Sequence, residues 1–159
     1  MMHDDLTALQ AEEAELNWDQ FGVDEAWELG SAVRAIAHKR GHAVTIDIRR
    51  VNGMILFRTA LAGVTVDQDD WVRRKSAVVF RFDISSALFA ARMAAAGFDP
   101  TQVGWLDASD YAVAGGSVPI RVRGAGVIAA LTISGLSSEE DHALAVEGIR
   151  AIVARVTRA

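Results

Sequence analysis

The sequence predicts a single α+β domain in which helices flank an antiparallel sheet. Three observations indicate this class. Apolar residues alternate with polar ones beside an Asn-Gly turn, two more strand-like segments lie in the last third of the chain, and helical stripes precede, separate and follow them. The 159 residues contain no repeat, linker or low-complexity tract, so we expect one domain over residues 1–159.

The chain is predicted to begin with two helices. The first is acidic and has only a weak apolar stripe, formed by Leu6, Leu9 and Leu16. The segment WDQFG interrupts it, and Trp18 and Phe21 are expected to fold back onto the body. Asp24 is the expected cap of the second helix, and Gly41 its end. The apolar stripe of this helix comprises Ala26, Leu29, Gly30, Val33, Ile36 and Ala37.

The first two predicted strands form a hairpin. Residues 44–49 alternate apolar with polar side chains, which is the pattern of a half-buried strand. Asn52-Gly53 is the preferred dipeptide of a two-residue type I′ turn. Residues 54–60 then return as the partner strand.

Two further helices are predicted over residues 71–82 and 86–96. The pair Ser85-Ser86 caps the second of them, and Gly97 and then Pro100 end it. Acidic residues before the first helix can cap it and stabilise the positive end of its dipole: Asp67, Asp69 and Asp70.

The last third of the chain predicts two strands and a helix. Val118, Ile120 and Val122 alternate with polar residues and proline, and the segment GAG turns the chain. Residues 127–133 are apolar on both faces, as expected of a central strand covered on both sides. A final helix begins with an S-x-x-E capping box, and its apolar stripe is Val146, Ile149, Val153 and Val156.

Composition excludes several classes of function. A formal net charge of −5 argues against a general binder of nucleic acid or anionic membranes. No apolar run approaches the roughly 18 residues that span a bilayer, and the acidic N-terminus is unlike a secretory signal. With no cysteine, the chain offers no disulfide and no thiolate. We expect a cytoplasmic protein.

Lys75 falls inside the apolar stripe of its helix, which consists of Trp71, Val78, Val79 and Phe82. Three interpretations are open. The side chain can snorkel, covering apolar surface while its amine reaches water. Its ammonium can instead line a pocket and hold a carboxylate or phosphate together with Arg74. It can also form an ion pair across a subunit interface.

The Gly115-Gly116 pair has two interpretations. It can bring backbone amides close to a ligand, or it can form a tight turn into the strand that follows. The chain has neither the G-x-G-x-x-G pattern nor a Walker sequence, so nothing specific indicates nucleotide binding.

His142 is the histidine of greatest interest because it lies in the first turn of the last helix, beside Asp141. The positive end of a helix favours a neutral imidazole, which suits a ligand or a hydrogen-bond partner. Alternatively, His142 caps the loop or packs at an interface. No H-E-x-x-H or G-x-S-x-G motif occurs, so neither a metal site nor a serine triad is predicted.

Six segments in the same order resemble one protein family: DDL, FGVDEAWELG, NGMILFRTALAG, DDWVRRKSAVVFRFDISS, YAVAGGSVPIRV and ISGLSSEEDHALAVEGI. This is an uncharacterised bacterial and fungal family assigned to the haem-degrading-domain superfamily. Its relatives include glycolate-operon G-like proteins, a secreted haem-binding sensor protein, and the C-terminal domain of some cobalamin adenosyltransferases. The resemblance extends over nearly the whole chain.

The resemblance implies a five-stranded antiparallel sheet flanked by helices in a two-layer or three-layer sandwich. Residues 111–114 would supply the fifth strand. Relatives tend to form dimers and larger rings or cages, and exposed aromatic residues suit such an interface: Trp18, Phe21 and Trp27. The superfamily label also makes haem a possible cofactor, with His142 as the first candidate ligand and Tyr111 as a weaker one.

Three functions are compatible with the sequence. The leading hypothesis is a homo-oligomer that binds a small anion or a haem-like planar molecule with carboxylates. The second is an enzyme acting on a tetrapyrrole or small organic acid, with His142 moving a proton. The third is a structural or interaction protein. Under the leading hypothesis the ligand-binding residues are Trp71, Arg74, Lys75, Tyr111, Gly115, Gly116 and His142.

Overall fold

A computed structural model describes the chain from residue 2 to residue 156, and the side chains from residue 5 to residue 155. The expectation for the Val156 side chain lies outside the described part. The elements in chain order are α1 (Met2–Ala14), β1 (Asn17–Trp18), α2 (Val23–Lys39), β2 (Thr45–Arg50), β3 (Ile55–Ala60), α3 (Asp67–Phe82), α4 (Ser86–Ala96), β4 (Ser117–Val122), β5 (Gly126–Ser134) and α5 (Ser138–Val156).

The strands form one five-stranded sheet in the order β1-β4-β5-β2-β3. Three of its four pairings are antiparallel, and β1 pairs with β4 in parallel, so the sheet is mixed. The central position predicted for residues 127–133 is confirmed, because β5 lies between β4 and β2.

The predicted fifth strand is wrong. Residues 111–114 form no strand, and the fifth member of the sheet is β1. Two residues are too few to show a period-two pattern. What holds β1 in place is Trp18, which is 2% exposed and contacts Phe21 edge-on at 4.9 Å between ring centroids. The prediction that these two aromatic residues fold back is confirmed, but Trp18 is buried and cannot form an interface.

Helices cover both faces of the sheet, which gives three layers. One face is apolar and packs against α2 and α5. The other faces α3 and is rich in small polar and charged side chains, all buried: Thr45, Asp47, Ser117, Thr132 and Ser134. The half-buried pattern predicted for residues 44–49 is therefore wrong, since residues 44–48 are buried on both faces. Asp47 tolerates burial because Arg49 donates two hydrogen bonds to it, at 2.7 and 2.8 Å.

Local signals placed most element ends correctly. Ser85 caps α4 by accepting a hydrogen bond from the Leu88 N–H at 3.1 Å, and Gly97 ends that helix at φ +82°. The capping box of α5 is confirmed by reciprocal bonds between Ser137 and Glu140.

Two predicted helix starts and one predicted turn type differ from the structure. The cap of α2 is Gly22, whose N–H donates to the Glu25 carboxylate at 2.9 Å, and Asp24 lies inside the helix. Asp67, Asp69 and Asp70, predicted to precede α3, form its first turn. In the hairpin, Gly53 has φ +91° but Asn52 does not have a positive φ, so the turn is not type I′. Its Gly53 N–H donates to the Arg50 carbonyl at 2.8 Å.

Within the described chain, no helix is both long and apolar enough to cross a membrane.

Gly135 connects β5 to α5 at a point where the backbone has no room for a side chain. Its φ is +144°, and a Cβ atom at this position would lie 2.2 Å from the Ala43 carbonyl oxygen. Gly124, in the turn between β4 and β5, also has a positive φ of +81°, but a Cβ there would have nothing within 4 Å. Comparing an alanine substitution at each glycine therefore separates the cost of backbone strain from the cost of steric overlap.

We expect Gly124→Ala to lower the free energy of unfolding by about 1 kcal/mol, which is the cost of a left-handed conformation. Gly135→Ala should cost at least about 2 kcal/mol more, because the chain must also move away from Ala43. Equilibrium urea denaturation of both variants measures the difference. Equal losses would show that the β5–α5 connection can relax without penalty.

Candidate functional site

Four of the seven predicted ligand-binding residues line two separate depressions. The larger is a groove of about 550 Å³ between α1, α4, Gly115 and the start of α5. The smaller is a pocket of about 180 Å³ between α3, Ala114 and the connection from β5 to α5. Ser138 lines both. The first turn of α5 is therefore the wall that the two depressions share.

The larger groove has an apolar lining with an acidic rim. Successive turns of α4 present alanine side chains to the groove: Ala87, Ala90, Ala91 and Ala94. The charged side chains lining it, within the described chain, are acidic: Asp5, Glu12 and Glu139. Gly115 belongs here because a Cβ at this position would lie 2.7 Å from the Ser138 carbonyl oxygen. This glycine allows the loop to pack directly against the start of α5.

His142 lies in the wall of the larger groove, and its side chain is only 10% exposed. Its Nε2 atom is 2.6 Å from Glu12 Oε1 on α1. Its Nδ1 atom is buried and has no hydrogen-bond partner in the described chain. Buried polar atoms without a partner are uncommon and call for an explanation. The groove thus contains a histidine with one ring nitrogen fixed and the other unsatisfied.

Sequence reasoning missed Glu12. It lies 130 positions from His142, on a helix whose apolar stripe is weak, and no local motif joins the two residues. α1 is fixed here by its next residue, Glu13, which accepts a hydrogen bond from the Ser85 N–H at 2.5 Å. Burial raises the pKa of Glu13, while this hydrogen bond acts in the opposite direction. The contact ties α1 to the beginning of α4.

Lys75 lines the smaller pocket and is buried, with 3% of its side chain exposed. Its Nζ donates to Asp141 Oδ2 at 2.9 Å and to the Ile133 carbonyl at 3.1 Å. The amine does not snorkel to solvent, and its ion-pair partner belongs to the same chain. Burial lowers the pKa of Lys75 and raises that of Asp141, and in each case the partner's charge opposes the effect.

Gly116 makes room for this ion pair. Its φ is +135°, and a Cβ there would lie 2.5 Å from the Ile133 carbonyl oxygen and 2.8 Å from Lys75 Nζ. Asp141 is also held by the backbone, since its Oδ1 accepts from the Leu136 N–H at 3.0 Å. Asp141 lies in the acidic first turn of α5, where such residues ordinarily stabilise the helix dipole, but its carboxylate is buried and links α5 to α3.

The remaining candidate residues are divided between the pocket and its surroundings. Trp71 lines the smaller pocket. Arg74 stacks over the Trp71 ring at 4.1 Å and binds Asp70 at 2.8 Å, outside both depressions. Tyr111 also lies outside them, with the Arg81 guanidinium 5.1 Å from its ring centroid.

Comparison with known proteins identifies the family. A family model described as haem degrading protein HbpS-like matches residues 21–150. The chain belongs to this family. Similar proteins include a UPF0303 protein of Acidobacterium capsulatum, 40% identical over 149 residues that cover 94% of this chain and 90% of the relative. A UPF0303 protein of Burkholderia vietnamiensis is 45% identical over 145 residues, covering 91% and 87%.

Solved structures share the fold. The crystal structure of the Ybr137w protein is 33% identical and superposes with a TM-score of 0.88, covering 96% of this chain and 89% of that one. HbpS superposes with a TM-score of 0.68 at 21% identity, over 83% and 89%. PduOC, solved in complex with haem, superposes with a TM-score of 0.67 at 16% identity, over 82% and 94%. At such low identity, the last two show the fold alone.

We expect Lys75→Met and Asp141→Asn each to destabilise the protein by about 3 to 5 kcal/mol, because each leaves a buried charge without its partner. The double variant should lose at least about 1 kcal/mol less than the sum of the single losses, since it removes both charges. Urea denaturation of the four proteins completes the cycle.

The exposed ion pair between Arg40 and Glu147, 2.8 Å apart, serves as the control. Arg40→Met should cost no more than about 1 kcal/mol, because water screens that pair. Additive losses for Lys75 and Asp141 would mean that the two side chains do not depend on each other.

Proposed function

We propose that this protein is a homo-oligomer that binds a small planar ligand, haem-like and carrying carboxylates, in its larger groove. One observation carries this proposal: His142 lies in the groove wall with Nε2 held by Glu12 and with Nδ1 buried and unsatisfied. When Nε2–H donates to the Glu12 carboxylate, Nδ1 of the neutral ring is an acceptor. A ligand group that donates to it, or a metal that it coordinates, would remove the cost of burying it without a partner once the ring turns Nδ1 toward the groove.

The shape and lining of the groove support a planar ligand over a small anion. Its volume of about 550 Å³ lies within the usual range for small-molecule sites, roughly 300 to 1,000 Å³. Alanine side chains leave room for the flat face of a ring system. The acidic rim repels anionic groups, so the ligand's carboxylates would have to point to the open side of the groove, away from Asp5, Glu12 and Glu139.

Haem fits part of this site. Histidine is a common axial ligand of haem iron, and a carboxylate that holds one ring nitrogen orients a metal-binding imidazole. His142 would hold the iron, Glu12 would orient the ring, and the alanines of α4 would contact the macrocycle. The iron would supply ligand binding and electron transfer. The family description and the haem complex of PduOC support the same choice.

The contact between Glu12 and His142 also supports the second candidate function. An enzyme that moves a proton with His142 needs a group to take up or orient that proton, and Glu12 is in place to do so. This candidate rests on the same groove and the same pair. The acidic, cysteine-free composition supports a cytoplasmic setting for either function.

We expect the purified protein to give a saturable one-to-one shift of the Soret band when titrated with haemin. His142→Ala should weaken binding at least about tenfold, because it removes the proposed iron ligand. Ala91→Trp should weaken binding as well, by filling the groove. Absorbance titration of each variant gives the dissociation constants.

His38→Ala, at an exposed histidine near the end of α2, is the matched control and should bind haemin like the unchanged protein. An unrelated acidic protein measures non-specific uptake. If His142→Ala and Ala91→Trp both bind as tightly as the unchanged protein, the larger groove is not the haem site.

The homo-oligomer is supported by an apolar patch on α2. Val23 is 59% exposed, and Trp27, one turn later on the same face, is 68% exposed. Trp27 contacts Phe57 of β3 at 5.8 Å between ring centroids, and β3 is at the edge of the sheet. Exposed apolar patches beside an unpaired strand edge are typical of protein interfaces.

We expect Trp27→Ser to lower the molar mass of the protein in solution, because it removes the largest apolar side chain of this patch. Size-exclusion chromatography with light scattering measures that mass. Trp105→Ser is the control, since Trp105 is 44% exposed at another site. A Trp27→Ser protein with the mass of the unchanged protein would assign assembly to a different surface.

A further inference from the structure

The smaller pocket places a buried amine and a buried carboxylate together at the wall of a cavity. Lys75 and Asp141 are 2% and 1% exposed, and both line this pocket of about 180 Å³. An ammonium has three N–H donors. Asp141 and the Ile133 carbonyl take up two of those of Lys75, which leaves one that no acceptor in the described chain binds. This remaining donor is available to a molecule in the pocket.

The pocket limits what that molecule can be. It is smaller than the roughly 300 Å³ at which sites for drug-sized ligands begin. The charges of Lys75 and Asp141 cancel, so a ligand with a net charge gains little from the pair. A small molecule with a carbonyl oxygen fits better, because that oxygen can accept the remaining N–H while its carbon lies beside Nζ. The Trp71 ring offers an apolar wall for the rest of the molecule.

We propose that Lys75 is a reactive lysine that forms an imine with a small uncharged aldehyde or ketone, with Asp141 as its proton acceptor and donor. This proposal does not rest on a ligand binding in the larger groove.

The reaction needs no other reagent. Asp141 takes a proton from the Lys75 ammonium, and the Nζ lone pair attacks the carbonyl carbon. The C–N bond forms as the carbonyl π electrons move to oxygen, which takes one of the two protons that remain on Nζ. The carbon–oxygen bond then breaks, and the hydroxyl group leaves as water with the proton from Asp141. The products are a protonated imine and water, and Asp141 is again a carboxylate.

The surroundings favour this step over a purely structural ion pair. Burial lowers the pKa of Lys75 and raises that of Asp141, so moving the proton between them costs less than it would in water. The protonated imine keeps a positive charge 2.9 Å from the position of Asp141 Oδ2, so the product preserves the ion pair. The Leu136 N–H holds Asp141, and the lack of a side chain at Gly116 leaves room for Lys75 Nζ.

The experiment uses the fact that the chain has two lysines, Lys39 and Lys75. Lys39 is exposed in the last turn of α2 and serves as an internal reference. The native protein is incubated with propanal and cyanoborohydride, which traps an imine as a stable alkylamine. Mass spectrometry of proteolytic peptides then gives the labelling rate of each lysine. We expect Lys75 to be labelled at least about tenfold faster than Lys39, and this preference to vanish in denaturant.

A second carbonyl compound and a pocket variant test the proposal further. With pyruvate, which carries a carboxylate, the ratio of Lys75 labelling to Lys39 labelling should be lower than with propanal. Ala114→Met should slow labelling of Lys75 at least about tenfold by filling the pocket, with Lys39 unchanged. Lys75 labelled no faster than Lys39 in the unchanged protein would overturn the proposal and leave the ion pair a structural one, whether or not the variant folds. Preferential labelling by pyruvate would overturn the choice of an uncharged ligand.

Discussion

The ion pair between Lys75 and Asp141 is the contact on which the arrangement of both depressions depends. Lys75 belongs to α3, the carbonyl it also binds belongs to β5, and Asp141 belongs to α5. Three layers of the fold therefore meet at one ammonium group. Burying two charges costs free energy that the pair must offset by good geometry and by further hydrogen bonds. Here the Leu136 N–H and the Ile133 carbonyl supply those bonds.

Fixing Asp141 also fixes the first turn of α5, and with it the groove on the other side. His142 follows Asp141 directly, and Ser138, one turn earlier, lines both depressions. The two glycines before β4, Gly115 and Gly116, pack against the same region of the fold. Gly115 lets the loop reach the Ser138 backbone, and Gly116 lets it pass the Lys75 ammonium. Both glycines thus allow close packing, Gly115 against the Ser138 backbone and Gly116 beside a charged group.

Much of the fold could be predicted from the sequence, because the responsible signals are local. The hairpin, the central strand of residues 127–133 and the caps at Ser85 and Ser137 each depend on a few neighbouring residues. The misses have a different origin. Strand β1 has too few residues for a periodic pattern, and the burial of Asp47 depends on Arg49 and on the helix above it. Lys75 was recognisable as a charge in an apolar stripe, but its partner is 66 positions away and has the ordinary signature of a helix start. No local sequence pattern indicated that Glu12 would contact His142.

The attachment of α1 has a consequence for how quickly the larger groove exchanges its contents. This helix forms one wall, and two of the contacts that fix it there are polar: Glu12 with His142, and Glu13 with the start of α4. Such a helix can detach at a smaller free-energy cost than global unfolding. If the groove binds a ligand as proposed, this local opening would set the ligand's residence time. Substitutions at the α1–α4 contact would then change exchange kinetics while the melting temperature of the domain stays nearly constant.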